Sequence, residues 1–555
     1  MKKLPALLLS LVLLLSLVLV LTAVSAAAGD TGTPEPITVT FFKGEPGEQP
    51  SADNKIYRKI EEELGIRFEF EFLTTFLDEA LGMKTLDEAS LPDLLDGSNS
   101  GEWLEDNHIL IDLLPYISEE ETPNLYKHLY TDDRIRELVT EDGKLYIIPN
   151  YGISYNGEIK DQDGPAFFIQ KQVVAWNNYR VPKTLNEYFD LIERFIAEHP
   201  ANEAGEAYTG FAILCESWKR FSLINPVQHL MGHPNEGEVI VGTAAEGYKT
   251  ETFIDKPCAK PYYRKLNEAF DKGLISEDTF IMGYDQYIAA LSGGTVLGMF
   301  DQTWDLREAA KALQDAGKYG NTYLAIPLVY DPEYVDGAEI EEHYINGTVM
   351  NKDRGAGITV NCRDPERMVR MYDTLLSDEW QKLLQWGIEG EDYYVENGRM
   401  LMTREQYEQR SNAEWQRANT ANALWISLPK KQGHMDDGNA WSPDQQPEIR
   451  AEVMNDYDRE FLEKCGKDSW NDFFNPPAEL PPYGEAWEID KNEIDEDYQN
   501  FLKIQDRCLP EIIMCDPEEF DAEWDAFTAE IAPYAASYAD FMHREILKFA
   551  GQAAD

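Results

Sequence analysis

The run Ile37-Thr38-Val39-Thr40-Phe41-Phe42, then Ser51 to Leu64, then Ile66-Arg67-Phe68-Glu69-Phe70-Glu71-Phe72-Leu73 decides the fold. Ile37 to Phe42 has the β-branched and aromatic content of a strand. Ser51 to Leu64 places Ile56, Ile60 and Leu64 four residues apart, the spacing of a helix with one apolar face, and Gly65 can terminate it. Ile66 to Leu73 alternates Phe68, Phe70 and Phe72 with charged residues, which reads as a second strand. A strand, a helix and a strand this close in sequence predict a parallel, right-handed crossover. The chain therefore opens as an α/β sheet.

Before this unit, Lys2 and Lys3 form a basic start, Leu7 to Leu21 is apolar, and Val24-Ser25-Ala26 and Ala26-Ala27-Ala28 offer small residues for cleavage. Residues 1–26 read as a signal peptide. Retention of Leu4 to Val24 as an anchor is the competing reading, because the stretch approaches spanning length. The remainder is expected outside the cytoplasmic membrane.

The chain has 555 residues, more than one small core accommodates, so at least two lobes are expected. With 102 acidic residues against 49 basic ones and a net charge of −53, its field repels nucleic acid and anionic lipid. Neither is expected as a partner, although local basic groups could still bind an anionic sugar. The six cysteines, Cys215, Cys258, Cys362, Cys465, Cys508 and Cys515, are spaced irregularly and form no disulfide framework or zinc motif. No cofactor or metal is expected.

Further along, Leu91-Pro92-Asp93-Leu94-Leu95 reads as a short buried strand running into the polar loop Asp96 to Gly101. Open α/β sheets bind ligands in such loops at the carboxyl ends of their strands. Asp142-Gly143-Lys144 predicts a turn, and Leu145 to Pro149 a strand. A second α/β region follows: a strand from Phe167, then a helix started by Pro182 to Glu187, with Thr184 and Glu187 as a capping box. Strands are expected over Tyr208 to Leu214, Val296 to Phe300, Thr322 to Val329 and Ala356 to Val360. Asp364-Pro365 starts another helix. The C-terminal third is mainly helical, with Phe520, Trp524, Phe527 and Ile531 on one face.

In this order, the landmarks resemble the family 1 extracellular solute-binding proteins of ABC importers, most closely the long Gram-positive type. The matching pieces include Pro92 to Ser98, Trp103 to Ile117, Asp142-Gly143-Lys144-Leu145-Tyr146-Ile147-Ile148-Pro149, Val181 to Glu187, Lys272 to Ser276, Gly298-Met299-Phe300 through Trp304, and Gly387-Ile388-Glu389-Gly390. The resemblance implies an α/β, two-lobe periplasmic-binding-protein-like fold with an interlobe ligand cleft and a helical C-terminal region. It implies a first lobe over 37–152, a second over 153–344, a return over 345–385, and the second lobe with C-terminal helices over 386–555. It also implies a non-enzymatic, monomeric carrier that delivers an oligosaccharide to ABC transporter permease subunits at the outer face of the membrane. Lipid-anchored members carry a Cys after the signal segment. Ala26-Ala27-Ala28-Gly29 has none, so the likeness does not extend to a lipid anchor. His199 to Glu206 keeps few of the oxygens of the family's calcium loop, and calcium is not predicted.

A sugar packs its C–H faces on aromatic rings and pairs its hydroxyls with polar groups. The aromatic candidates are Trp218, Trp304, Trp386, Trp425 and Tyr155, and the polar ones Glu45, Asp96, Asn99, Asp301 and Glu389. Asp96 and Asn99 can equally shape a turn. Trp176, Trp380, Trp470 and Trp524 read as core. A secreted glycoside hydrolase and a receptor for a non-sugar solute such as a peptide are the rival readings. The first needs two carboxylates across one bond.

Overall fold

In the computed structural model, Ile37–Lys43 and Ile66–Phe72 pair in parallel, from Ile37 opposite Ile66 to Lys43 opposite Phe72. The structure describes residues 35–554, apart from 87, 99, 132–133, 141, 346–349 and 478–480. The signal segment expected over 1–26 and the candidate Asn99 lie outside the described residues. The crossover helix is Lys55–Leu64, not Ser51 onward, because the Asn54 carboxamide oxygen accepts the amides of Ile56 and Tyr57 at 2.9 and 3.0 Å and caps it there. Gly65, at φ 63°, ends it in the left-handed conformation that glycine adopts without strain.

The chain folds as two compact units, Met1–Glu158 with Met350–Val453, and Ile159–Val349 with Met454–Asp555. In the first unit the strand order is Ala356–Ile358, Leu94–Asp96, Ile37–Lys43, Ile66–Phe72. The last three are parallel, and Ala356–Ile358 runs antiparallel to Leu94–Asp96. Phe41, Ile60, Leu94 and Ile358 are fully buried in its core. Burying a side chain of this kind contributes about 1.5–3 kcal/mol. Leu145 to Pro149 forms no regular strand. It is extended and buried, with the Leu145 carbonyl accepting the Leu113 amide at 2.7 Å and the Asn150 amide donating to Arg354.

In the second unit Pro165–Gln170 is the central strand, antiparallel to both Gly298–Gln302 and Tyr323–Ile326. Residues 209–212 lie beside Gly298–Gln302 through the parallel bridges Thr209–Val296 and Ala212–Met299. The helix Leu185–Glu198 is capped by Thr184, whose hydroxyl accepts the Glu187 amide. Glu187 reaches back to the Lys183 amide at 2.9 Å, one residue short of the expected box. Tyr188 of this helix donates to the Phe168 carbonyl at 2.7 Å across Gly298, where a Cβ would stand 1.9 Å from the hydroxyl. Only glycine allows that approach. The helices Asp495–Met514 and Phe520–Ala554 complete this core with Phe520, Trp524, Phe527 and Ile531.

One domain assignment is corrected. Residues 386–453 pack with the first unit, not the second. Ala421, Leu424 and Leu428 are buried in the same core as Ile358 and Tyr372, so the return to the first unit runs on to Val453. The second unit takes up the chain at Ile159, after the expected boundary at 153.

Candidate functional site

In the second unit, residues 209–214 and Gly298–Gln302 run in the same direction, so their carboxyl ends share one edge. Two tryptophans come off that edge. Ser217, at φ 54°, turns the backbone into the short helix Ser217–Arg220 and carries Trp218 outward. Trp304 follows two residues after Gln302, and its Nε1 donates to the Gln302 side chain at 2.7 Å, which fixes the ring. The indoles stack with centroids 6.0 Å apart and planes 25° apart, and they remain 60% and 37% exposed. Lys219 Nζ lies 4.7, 5.1 and 4.1 Å from the ring centroids of Trp218, Trp304 and Tyr284. It is also held by both carboxylate oxygens of Asp305, at 2.7 and 2.9 Å. The ammonium braces the rings while Asp305 balances its charge, leaving a neutral aromatic platform.

Asp301, expected to meet a ligand directly, lies buried. It is 1% exposed, accepts the Tyr287 hydroxyl at 2.7 Å and accepts the Gln302 amide at 2.8 Å. Burial, and after it the negative charge of Asp305, raises its carboxyl to about 7. Asp301 supports the platform from below.

The first unit has its own carboxyl edge, where Lys43, Phe72 and Asp96 end three parallel strands and the chain turns through Glu45 and Ser98. Lys43 and Asp96 are buried and form an ion pair at 3.0 Å. Asp96 also accepts the Ser427 hydroxyl and, at 2.8 Å, the Ser98 amide. It shapes the loop and anchors an internal cation. Glu45 is half-buried and paired with Arg354, which precedes the antiparallel strand Ala356–Ile358. Lys430 completes the group, with its ammonium 4.9 Å from the half-buried ring of Trp425. Burial, then repulsion from Arg354 and Lys43, pushes Lys430 down to about 8.

Tyr155 is half-buried, its hydroxyl hydrogen-bonded to His128 Nδ1 at 2.7 Å and its ring flanked by Lys431 and Arg134. Trp386 is fully buried, against expectation. The helix Asp378–Trp386 extends through it and turns the indole inward, where Nε1 donates to the Ala440 carbonyl. Glu389 is exposed on the following loop, its backbone bridged to Tyr393. Asn202 spends its side-chain oxygen on the amides of Ala204 and Glu206 within its own loop. Lys219, Tyr284, Asp305, Arg354 and Lys430 were not singled out from sequence. In so acidic a chain, the pair Trp218-Lys219 and the lysine pair Lys430-Lys431 were the available signal.

No protein-family model matches the chain, and no curated protein matches its sequence. Solved structures do match. An extracellular solute-binding protein from Bifidobacterium longum subsp. infantis superposes with a TM-score of 0.63 at 14% identity, over 94% of this chain and 99% of the other. An HMO-binding, ABC-transporter-associated solute-binding protein from Bifidobacterium longum infantis gives 0.60 at 16% identity, over 93% and 99%. The substrate-binding protein FusA of S. pneumoniae, solved with kestose, gives 0.57 at 17% identity over the same shares. The chain thus has the α/β, two-lobe fold of the ABC-importer solute-binding proteins.

Proposed function

We propose that this protein captures an oligosaccharide outside the cytoplasmic membrane and delivers it, chemically unchanged, to the permease subunits of an ABC importer. The observation that carries this reading is the braced Trp218–Trp304 pair at the carboxyl edge of the second unit. Two part-exposed indoles, held in place by an already neutralised cation, suit the C–H face of a sugar ring and offer nothing to a reaction. FusA, solved with kestose, and the HMO-binding protein point to the same ligand class. The protein works as a secreted monomer in this reading.

Asp301, raised to about 7, has the acidity of a general acid. Its burial beneath Tyr287 and Gln302 keeps it from a glycosidic oxygen, which argues against the hydrolase reading. The test is a thermal-shift and calorimetric screen of the purified chain against oligosaccharides, with product analysis. A ligand that binds only the native state raises the melting temperature. A shift with one glycan class and no smaller sugars released supports capture. Sugar release would establish a hydrolase, and shifts confined to peptides would replace the ligand class.

A further inference from the structure

The carboxyl edge of the first unit holds an uneven set of charges. Lys43 is paired with Asp96 and Arg354 with Glu45. Lys430, which feels all four of these groups, makes no ion pair or hydrogen bond among the described residues. The edge thus carries a surplus positive charge in a chain whose net charge is −53. A desolvated ammonium is costly unless something opposite compensates it. Here the neighbouring cations make matters worse, since Arg354 and Lys43 repel it. Asp96 and Glu45 favour the charge from a distance but are already paired with Lys43 and Arg354, and the ring of Trp425 at 4.9 Å supplies only part of what was lost. The corresponding lysine of the second unit, Lys219, is closed off by both oxygens of Asp305. One edge is neutral by construction, and at the other the two carboxylates, Asp96 and Glu45, face three cations.

We propose that the first unit's edge receives an acidic sugar residue, with its oxyanion, a carboxylate or a sulfate, on Lys430 and its ring against Trp425. This deepens the oligosaccharide reading and rests on it. The net −53 of the chain would repel such a ligand at a distance, so recognition depends on this local charge, and screening by salt acts on both effects.

The test is titration calorimetry on the full chain with three probes of equal length: oligogalacturonates, sulfated galactan oligomers and neutral xylo-oligosaccharides. Wild type should bind one acidic class about tenfold or more tighter than the neutral one. The class that binds separates carboxylate from sulfate. Lys430→Met should abolish the preference and Lys430→Arg should keep it. In wild type the preference should fall as pH rises through about 8, where Lys430 loses its proton. In the arginine variant it should not, because a guanidinium stays charged there. That wild-type pH profile keeps the idea testable even if Lys430→Met does not fold. Neutral oligomers binding as tightly as acidic ones, or a preference that survives in Lys430→Met, would overturn this proposal and leave oligosaccharide capture standing. Binding of none of the three, with shifts only for non-sugar solutes, would end both.

Discussion

The two units present the same topological address with opposite chemistry. Each ends parallel-running strands at an edge and sends loops out from it. At the second unit's edge, the rings of Trp218, Trp304 and Tyr284 surround a lysine neutralised by Asp305. At the first unit's edge, two ion pairs sit beside a lysine that forms no ion pair of its own among the described residues. The difference shows that the fold specifies where a ligand can be met, and the side chains placed there specify what it can be. It also separates groups that build an edge, such as Lys43, Asp96 and Asp301, from those that face outward.

The sharpest break of this comparison is Asp96→Ala. It strands the buried Lys43 ammonium and should destabilise the first unit by about 3–5 kcal/mol, read as a lower denaturant midpoint. The aromatic edge should respond in affinity instead. Trp304→Ala or Trp218→Ala should cost about 2 kcal/mol of binding, roughly 30-fold by calorimetry, at near-unchanged melting temperature. If either variant binds normally, the platform reading fails.

Acidification should set the units apart by a smaller amount. His229, His233 and His343 of the second unit are all lowered by burial, and His229 stacks on His343 at 3.9 Å with neither ring nitrogen hydrogen-bonded. A histidine lowered on folding contributes stability that is present above its unfolded value near 6.5 and is lost as pH falls below it. Asp301, Glu485 and Glu236 of the same unit act with the opposite sign, since carboxyls raised by burial, the first two to about 7 and about 8, cost stability as pH climbs. Calorimetric scans from about pH 7 to about pH 5 should therefore show the second unit's transition in Asp301→Asn moving further down than in wild type, because one opposing carboxyl has been removed. A transition that does not move with pH in that variant would rule out the histidine account. The smallest effect is expected for Glu389→Gln, within about 0.5 kcal/mol in both stability and binding, because the side chain is exposed.

Much of the fold was legible because its signals are local. The alternation at Phe68, Phe70 and Phe72, the spacing of Ile56 and Ile60, and the caps at Thr184 and Asp364 each act within a few residues. Trp304 and Trp218 were legible as loop-borne rings because each follows a predicted strand. Trp386 was misplaced by that same rule. Only the burial of the helix Asp378–Trp386 shows that a ring next to a glycine loop turns inward. The domain assignment of 386–453 failed for a related reason. The apolar residues Ala421, Leu424 and Leu428 announce a core but not which one.

By itself, then, the sequence determined the α/β opening, the order of strands and helices, the acidic surface and the aromatic residues available to a ligand. Each follows from periodicity, capping or composition, which short stretches carry on their own. The tertiary structure decided which charges meet: Lys43 with Asp96, Arg354 with Glu45, Lys219 with Asp305, and Lys430 with none among the described residues. Glu45 and Arg354 are hundreds of positions apart, and an ion pair depends on distance in space. Only the folded chain distinguishes a neutralised cation from one that still calls for an anion.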